Sequence, residues 1–87
     1  MLQLTWTENA LGDLEWWQKH DTKVLKRIIQ ICLATCKNPT QGIGKPEPLK
    51  FDLQGYWSRR IDDEHRIVYA FDAKKVTITQ CRFHYQK

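Results

Sequence analysis

The spacing of the apolar residues changes once along this chain, at a segment rich in proline and glycine. Before that segment, Leu25, Ile28, Cys32 and Cys36 recur every three or four positions, which is the spacing of one face of an α-helix. After it, apolar and polar residues alternate, as in a half-buried β-strand. Helices followed by strands predict an α+β fold in which the helices pack on one face of an antiparallel sheet.

Capping and turn residues divide these patterns into elements. Thr7 is suited to cap a first helix and Asp21 or Thr22 a second one. Asn38-Pro39 ends the second helix, because the residue before a proline avoids helical geometry. The predicted order is a strand at residues 2–6, two helices, a loop at residues 39–48, and a three-strand meander at residues 56–61, 66–71 and 76–85. The 87 residues leave room for one core, so we expect a single domain over residues 1–87.

Charge and hydropathy narrow the classes of function. The net charge is +4, but residues 1–21 hold four acidic residues and one basic residue, whereas residues 22–87 hold thirteen basic and six acidic ones. Such a surplus favours a polyanionic partner, most commonly a nucleic acid. The sequence has no apolar run of about 20 residues that could span a membrane and no signal-peptide pattern. We therefore expect a cytoplasmic protein without a membrane partner.

The cysteine count argues against a disulfide framework, because three is an odd number. Cys32 and Cys36 share one helix face, and together with Cys81 they could hold a metal. A metal site would need a fourth ligand at a recognisable spacing, and none is evident. We expect three small buried hydrophobic residues in a reducing compartment, with no metal and no cofactor.

Alternation along the strands predicts which side chains face away from the helices. Ile67, Tyr69 and Phe71 share the side that the helices cover, so Arg66 points to the opposite, uncovered side. By the same parity, Ser58 and Arg60 point to the uncovered side, and Arg82 and His84 share one side of the last strand. Two arginines on adjacent strands therefore converge on the uncovered face.

Three residues fit the cleavage of RNA without a metal. That reaction needs a base for the 2′-hydroxyl, an acid for the departing 5′-oxygen and a fixed cation for the charge that builds on phosphorus. Glu47 is held between two prolines and can be the base. Arg66 can clamp two phosphate oxygens. His84 can be the acid, because histidine has an unperturbed pKa near 6.5.

Each of these residues also has a plainer interpretation. Glu47 fits a solvated loop glutamate, and its spacing alone favours that interpretation. Arg66 fits equally well an ion pair with Glu64 or Asp62. His84 lies near the C-terminus, where a single histidine is more often simply exposed.

Four further residues could assist the same chemistry. Lys50 and Arg60 could bind backbone phosphates, and Tyr85 could stack on a base. Ser58 could add a hydrogen bond. Strict alternation places His84 and Tyr85 on opposite sides of the last strand, so both serve only if the end of that strand twists.

Several segments together resemble one known family. Residues 42–50, GIGKPEPLK, are similar to the GKPEPLK loop of the YoeB branch of the RelE/ParE-like toxins. The resemblance continues through residues 55–61 (GYWSRRI), 64–69 (EHRIVY) and 81–85 (CRFHY). Leu4-Thr5-Trp6 and Trp17-Gln18 also fit, so the resemblance spans nearly the whole chain.

The resemblance implies a microbial ribonuclease-like fold and a toxin that cleaves mRNA in the ribosomal A site without a metal. The family's catalytic glutamate, arginine and histidine fall on three residues here, and its contributing lysine, second arginine and terminal tyrosine on three more. These are Glu47, Arg66 and His84 for catalysis, and Lys50, Arg60 and Tyr85 for substrate binding. The implied partners are mRNA, ribosomal RNA, a cognate antitoxin, a second copy of the chain, and operator DNA bound through the toxin–antitoxin complex.

One departure from the family pattern concerns the C-terminus. Chains of this branch typically end at the His-Tyr pair, whereas Gln86 and Lys87 follow here. The extension adds a positive charge beside Tyr85 and bears on the geometry of that residue. Two other classes of function remain: a module that docks on RNA or protein without cutting, and a generic α+β domain whose basic face binds an acidic partner.

Overall fold

A computed structural model describes residues 1–84 of the chain. In chain order the elements are β1 (Gln3–Trp6), α1 (Glu8–His20), α2 (Thr22–Lys37), β2 (Glu47–Pro48), a 3₁₀ turn (Phe51–Leu53), β3 (Trp57–Arg60), β4 (Arg66–Phe71) and β5 (Lys75–Gln80). The strands form one sheet in the order β1-β5-β4-β3-β2. The predicted α+β fold is thus confirmed.

Local capping chemistry sets the bounds of both helices as predicted. The Thr7 hydroxyl accepts a hydrogen bond from the Ala10 N–H at the start of α1. The Asp21 carboxylate accepts from the Lys23 and Val24 N–H groups at the start of α2. That helix ends at Lys37 with Asn38 as its C-cap, directly before the proline. No helix within residues 1–84 is long and apolar enough to cross a membrane.

The core lies between the two helices and one face of the sheet. Both helices pack on β1 and β5, the parallel pair at one edge of the sheet. Leu11 of α1 and Ile29 of α2 are exposed, and so is Phe71 on β4, which alternation had placed on the side that the helices cover. The buried apolar residues of this core are Ala10, Trp17, Ile28, Ile31, Cys32, Cys36, Ile61, Ile67, Tyr69, Val76, Ile78 and Cys81.

The sheet differs from the predicted meander at both ends. The loop predicted at residues 39–48 ends in β2, where Glu47 is in register with Ser58 of β3. The last strand ends at Gln80 and not at residue 85 as predicted. It ends there because α1 takes both backbone groups of Cys81: its N–H donates to the Asp13 carboxylate, and its carbonyl accepts from Trp17 Nε1.

A bulge in β5 changes the face of its last residue. Val68 is in register with Gln80 and Tyr69 with Ile78, so Thr79 has no partner across the β4–β5 ladder. The Thr79 hydroxyl instead donates to the Val68 carbonyl at 3.1 Å. One extra residue reverses the side-chain parity, so Gln80 lies on the face opposite the helices although Val76 and Ile78 lie in the core.

Candidate active site

Two cross-strand rows of side chains meet on the face opposite the helices. The first row runs Glu47, Ser58, Val68, Gln80 across β2, β3, β4 and β5. The second row is the pair Arg60 and Arg66, which lie opposite each other on β3 and β4. The rows are two residues apart along the strands, or about 7 Å. The register therefore places Glu47 and both arginines in neighbouring rows of one face.

The central part of this face is buried, and is not the bare surface that alternation predicted. Ser58, Val68, Gln80 and Arg66 are 2%, 3%, 3% and 7% exposed. Beside the first row lies a cavity of about 480 Å³, lined by Asn9, Asp52, Leu53, Tyr56, Val68, Thr79 and Gln80. Val68 and Gln80 of the first row line this cavity, whereas Glu47, Arg66 and His84 do not.

Arg66 is buried on this face, and part of its guanidinium binds the β3–β4 turn. Its Nη1 donates to the Asp62 carbonyl at 2.8 Å and to the His65 carbonyl at 3.0 Å. Within residues 1–84, Nε and Nη2 make no hydrogen bond to that turn. These bonds fix the side chain and leave N–H groups that could bind an anion.

The ion pair considered for Arg66 is not formed. The Asp62 carboxylate accepts from the Glu64 and His65 N–H groups and so stabilises the turn itself. The Glu64 carboxylate lies 3.7 Å from His65 Nε2. Within residues 1–84, Arg66 therefore contacts backbone carbonyls and keeps its charge uncompensated by a salt bridge.

Arg60 adds a second cation directly opposite Arg66. It is exposed and forms no salt bridge within residues 1–84. Two like charges directly opposite each other in a sheet are destabilising, so this pair favours a polyanionic ligand that relieves the repulsion.

The exposed Glu47 lies on β2, at the edge of the sheet. The loop that leads to it is fixed by a residue that the sequence analysis did not assign, Arg59. The side chain of Arg59 is fully buried. Its guanidinium donates to the carbonyls of Asn38, Gln41 and Ile43 and to the Tyr69 hydroxyl, at 2.6 to 3.2 Å.

Tyr69 takes part in the same set of hydrogen bonds and is protonated. Burial raises the pKa of the Tyr69 hydroxyl, and its hydrogen bond from Arg59 partly offsets that effect. The hydroxyl itself donates to the Pro39 carbonyl at 2.6 Å. A neutral tyrosine and a charged arginine therefore hold the start of the loop against the sheet.

Gly44 lets the loop approach β3 closely. Its carbonyl accepts the Arg60 N–H at 2.6 Å, and its φ is +84°. A Cβ atom there would lie 3.0 Å from the Arg59 Cβ and 3.1 Å from the Arg60 carbonyl oxygen. Both the backbone angle and the space require glycine.

His84 lies beyond the last strand, so the parity that grouped it with Arg82 does not apply. It is exposed, and its carbonyl accepts from Gln80 Nε2 at 3.3 Å. Gln80 Nε2 also donates to the Arg82 carbonyl at 3.0 Å. The bulged end of β5 thus ties His84 to the same face as Glu47, at the opposite end of the first row.

The remaining predicted residues are placed as follows. Lys50 is exposed and precedes the 3₁₀ turn, where Phe51 is 90% exposed. Tyr85 lies outside the described residues, as do Gln86 and Lys87.

The three cysteines are buried free thiols, as predicted. Burial raises the pKa of Cys32 to about 12 and raises the pKa values of Cys36 and Cys81 as well. Within residues 1–84, no group of three or more His, Cys, Asp or Glu side chains could hold a metal ion.

Comparison with known proteins matches this chain over nearly its whole length. The model of the family described as the YoeB-like toxin of bacterial type II toxin–antitoxin systems matches residues 6–85. A Toxin YoeB from Synechocystis is 49% identical over 86 residues, which is 99% of this chain and 100% of that protein. A YoeB/ParE toxin from Agrobacterium tumefaciens superimposes with a TM-score of 0.91 at 43% identity, covering 97% of this chain and 100% of that one.

Two solved structures of the toxin from Staphylococcus aureus are also similar. A YoeB dimer has a TM-score of 0.88 at 41% identity, covering 97% of this chain and 98% of that one. A YoeB-YefM complex has a TM-score of 0.87 at 40% identity, covering 98% and 99%. On this full-length agreement in sequence and fold, the chain belongs to the YoeB-like toxins of bacterial type II toxin–antitoxin systems.

Proposed function

We propose that this toxin is an endoribonuclease that cleaves mRNA in the ribosomal A site. In this mechanism the ribose 2′-hydroxyl attacks the adjacent phosphorus, the bond from phosphorus to the 5′-oxygen breaks, and a 2′,3′-cyclic phosphate forms. The residues of this chain supply the base, the acid and the positive charge, so that no metal is required.

The observation that carries this proposal is the arginine pair on the face opposite the helices. Arg66 is buried and oriented by two backbone carbonyls, and Arg60 lies directly opposite it. A preorganised cation stabilises the charge of a pentacoordinate phosphorus without reorganising during the reaction. Arg66 therefore binds the scissile phosphate, and Arg60 binds the same or an adjacent phosphate.

The candidate base and acid lie on opposite sides of these arginines. Glu47 is on β2, and His84 is tied by its carbonyl to Gln80 at the end of β5. Glu47 and Gln80 stand at the two ends of the first row, so three strand spacings, about 14 Å, separate their backbones. An in-line displacement needs the base and the acid on opposite sides of phosphorus, so Glu47 takes the proton of the 2′-hydroxyl and His84 protonates the 5′-oxygen.

In this proposal, cleavage depends on the ribosome because the candidate base and the candidate acid are both exposed. Glu47 and His84 are both solvent-exposed in the isolated chain. An exposed acid and base act weakly until substrate binding removes water and fixes their separation. The ribosomal A site supplies the ordered mRNA and the ribosomal RNA that enclose these residues. Lys50 and Tyr85 complete the substrate contacts in this proposal, as phosphate-binding and base-stacking residues.

Two protein partners are part of the same proposal. A cognate antitoxin binds and inhibits this chain, in line with the YoeB-YefM complex solved from Staphylococcus aureus. The free toxin forms a homodimer, in line with the YoeB dimer from that organism. Operator DNA is bound through the toxin–antitoxin complex.

Cleavage of mRNA on programmed ribosomes tests the mechanism. The variants Glu47→Gln, Arg66→Ala and His84→Gln each reduce the single-turnover rate at least about 100-fold, since each removes the base, the cation or the acid. Glu15→Gln is the matched control, because Glu15 is an exposed carboxylate on α1 that pairs with Lys19. Its rate stays at that of the unmodified toxin.

The conditions of the assay separate the alternatives. Activity that persists in excess EDTA, once ribosome integrity is maintained with polyamines, supports the metal-free mechanism. A cyclic phosphate at the 3′ end of the cut supports attack by the 2′-hydroxyl. If all three variants cleave as fast as the Glu15→Gln control, this site does not carry out the reaction and the proposal fails.

A further inference from the structure

His65, to which the sequence analysis assigned no role, joins the β3–β4 turn to the segment that bears His84. Its Nδ1 accepts a hydrogen bond from the Phe83 N–H at 2.7 Å. The next residue, Arg66, donates its backbone N–H to the Phe83 carbonyl at 2.8 Å. Both backbone polar groups of Phe83 are thus bound by two successive residues, one of which carries the proposed phosphate clamp.

These contacts define the tautomer and the position of the His65 ring. Because Nδ1 accepts a hydrogen bond, it carries no proton, and the proton is on Nε2. Nε2 lies 3.7 Å from a carboxylate oxygen of Glu64. The side chain is 13% exposed, and its ring packs edge-on against Trp17 at 4.8 Å between centroids. The ring is therefore held in the orientation in which Nδ1 faces the Phe83 amide.

The segment that His65 binds, residues 82–83, includes a strained backbone conformation. Phe83 has a φ of +65°, in the left-handed region that a bulky residue adopts only at a cost. On its other side, the Arg82 guanidinium lies 3.7 Å from the Trp16 ring centroid and 4.4 Å from the Phe83 ring centroid. Residues 82 and 83 are thus fixed from both sides, directly before His84.

We propose that His65 is a positioning residue for His84. By accepting the Phe83 N–H, it fixes the turn that precedes His84 and sets the distance from the His84 imidazole to the phosphate held by Arg66. This role rests on the proposed function, in which His84 is the general acid. His65 itself touches neither the substrate nor the reacting atoms.

Two substitutions separate the hydrogen bond from the packing of the ring. His65→Phe keeps an aromatic ring against Trp17 but offers no acceptor to the Phe83 N–H. His65→Asn loses the ring but keeps an acceptor, because the Asn Oδ1 occupies nearly the position of Nδ1. If the hydrogen bond positions His84, the Phe variant cleaves about tenfold more slowly, because a misplaced acid transfers its proton less efficiently; tenfold corresponds to about 1.4 kcal/mol of activation free energy. The Asn variant recovers most of the rate.

A double-mutant cycle shows whether His65 acts through His84. Single-turnover cleavage on programmed ribosomes is measured for the toxin, His65→Phe, His84→Gln and the double variant. A residue that acts by placing His84 has no further effect once His84 is replaced, so the double variant matches His84→Gln. A merely structural role also disturbs Arg66 and lowers the rate of the double variant about tenfold below that of His84→Gln.

A measurement that does not use cleavage reports the hydrogen bond itself. In ¹⁵N spectra of the free toxin we expect the His65 Nδ1 resonance of an unprotonated nitrogen and slow hydrogen exchange at the Phe83 amide. The Phe variant loses the slow exchange, and thermal unfolding confirms that it is folded.

The outcomes distinguish this inference from the proposed function. Normal cleavage by His65→Phe, with a fast-exchanging Phe83 amide and an inactive His84→Gln, overturns the positioning role and leaves the mechanism intact. Full activity of His84→Gln overturns both the positioning role of His65 and the assignment of His84 as the general acid. Slow exchange at Phe83 in the Phe variant also overturns the inference, because His65 then does not hold that amide.

Discussion

Replacing Arg59 by alanine tests how the loop before Glu47 is held. Arg59 is fully buried and donates hydrogen bonds to three loop carbonyls and to the Tyr69 hydroxyl. Arg59→Ala removes all four donors while leaving the strand around position 59 otherwise unchanged. The loop would then depend on the Arg60 N–H bond to the Gly44 carbonyl and on the Tyr69 bond to the Pro39 carbonyl.

The expected loss of stability is about 3 kcal/mol. Four hydrogen bonds from a charged donor contribute about 1.5 kcal/mol each at the low end, or about 6 kcal/mol together. Two effects offset part of this. The carbonyls belong to loop residues that water can reach, and removing a buried cation relieves its desolvation cost. With these two effects offsetting about half of the 6 kcal/mol, the expected loss in the free energy of unfolding is about 3 kcal/mol. For a domain of this size that lowers Tm by about 12 to 24 °C.

Thermal unfolding at one fixed protein concentration measures this effect, with Arg60→Ala as the matched control. Arg60 is on the same strand, but its side chain is exposed on the other face, so we expect its replacement to change Tm by a few degrees at most, in either direction. Arg59→Lys keeps the charge but not the planar fork, and it recovers less than half of the loss. If Arg59→Ala and Arg60→Ala unfold at the same temperature, the loop is held by other contacts and the reasoning is refuted.

Three further predictions concern the loop, α1 and the thiols. Gly44→Ala lowers the free energy of unfolding by about 1 to 3 kcal/mol in urea titrations, because φ is +84° and the added Cβ meets the Arg60 carbonyl. Burial raises the pKa of the Asp13 carboxyl in the folded chain. The contribution of Asp13 to the free energy of unfolding is therefore fully present below about pH 4, and it is lost as the pH rises through the raised pKa. Asp13→Asn keeps an acceptor for Cys81 N–H, so its stability relative to the native toxin increases from pH 4 to pH 7 in urea titrations. The three thiols resist iodoacetamide at neutral pH until the chain unfolds, as mass spectrometry will show.

The parts of the fold that follow from neighbouring residues could be predicted. The caps at Thr7 and Asp21 and the end of α2 before Pro39 depend on side chains within three positions of the bonds they make. The change of apolar spacing likewise identified the three central strands. Arg66 and Arg60 share a face because alternation is a property of any regular strand.

The end of β5 depends on contacts that no local pattern contains. Cys81 is bonded to Trp17 and Asp13, which lie 64 and 68 positions away. The bulge at Thr79 reverses the parity of the residue that follows, and nothing at this position, such as a glycine, signals it. The strand predicted to reach residue 85 therefore ends at Gln80, and the alternation that grouped His84 with Arg82 does not extend to these residues.

The burial of Arg59 was missed for a different reason, because the alternation of β3 does indicate it. It shares the parity of Ile61, and alternation places both on the covered side of β3. A charged residue in the core contradicts composition rules, which explains why parity alone did not identify it. Four acceptors resolve the contradiction, and three of them are loop carbonyls that become available only once the loop folds over β3.

At both ends of the candidate site, a side chain holds the backbone that the sheet itself supports little. The arginines lie on central strands, where ladder hydrogen bonds on both sides fix the backbone. Glu47 and His84 lie on a two-residue edge strand and beyond a strand end, where the ladder gives little support. At each end a side chain binds the backbone just before the candidate base or acid: Arg59 binds the loop before Glu47, and His65 binds the turn before His84. In the proposed mechanism, the rigidity that proton transfer requires at these two ends therefore comes from side chains that carry none of the chemistry.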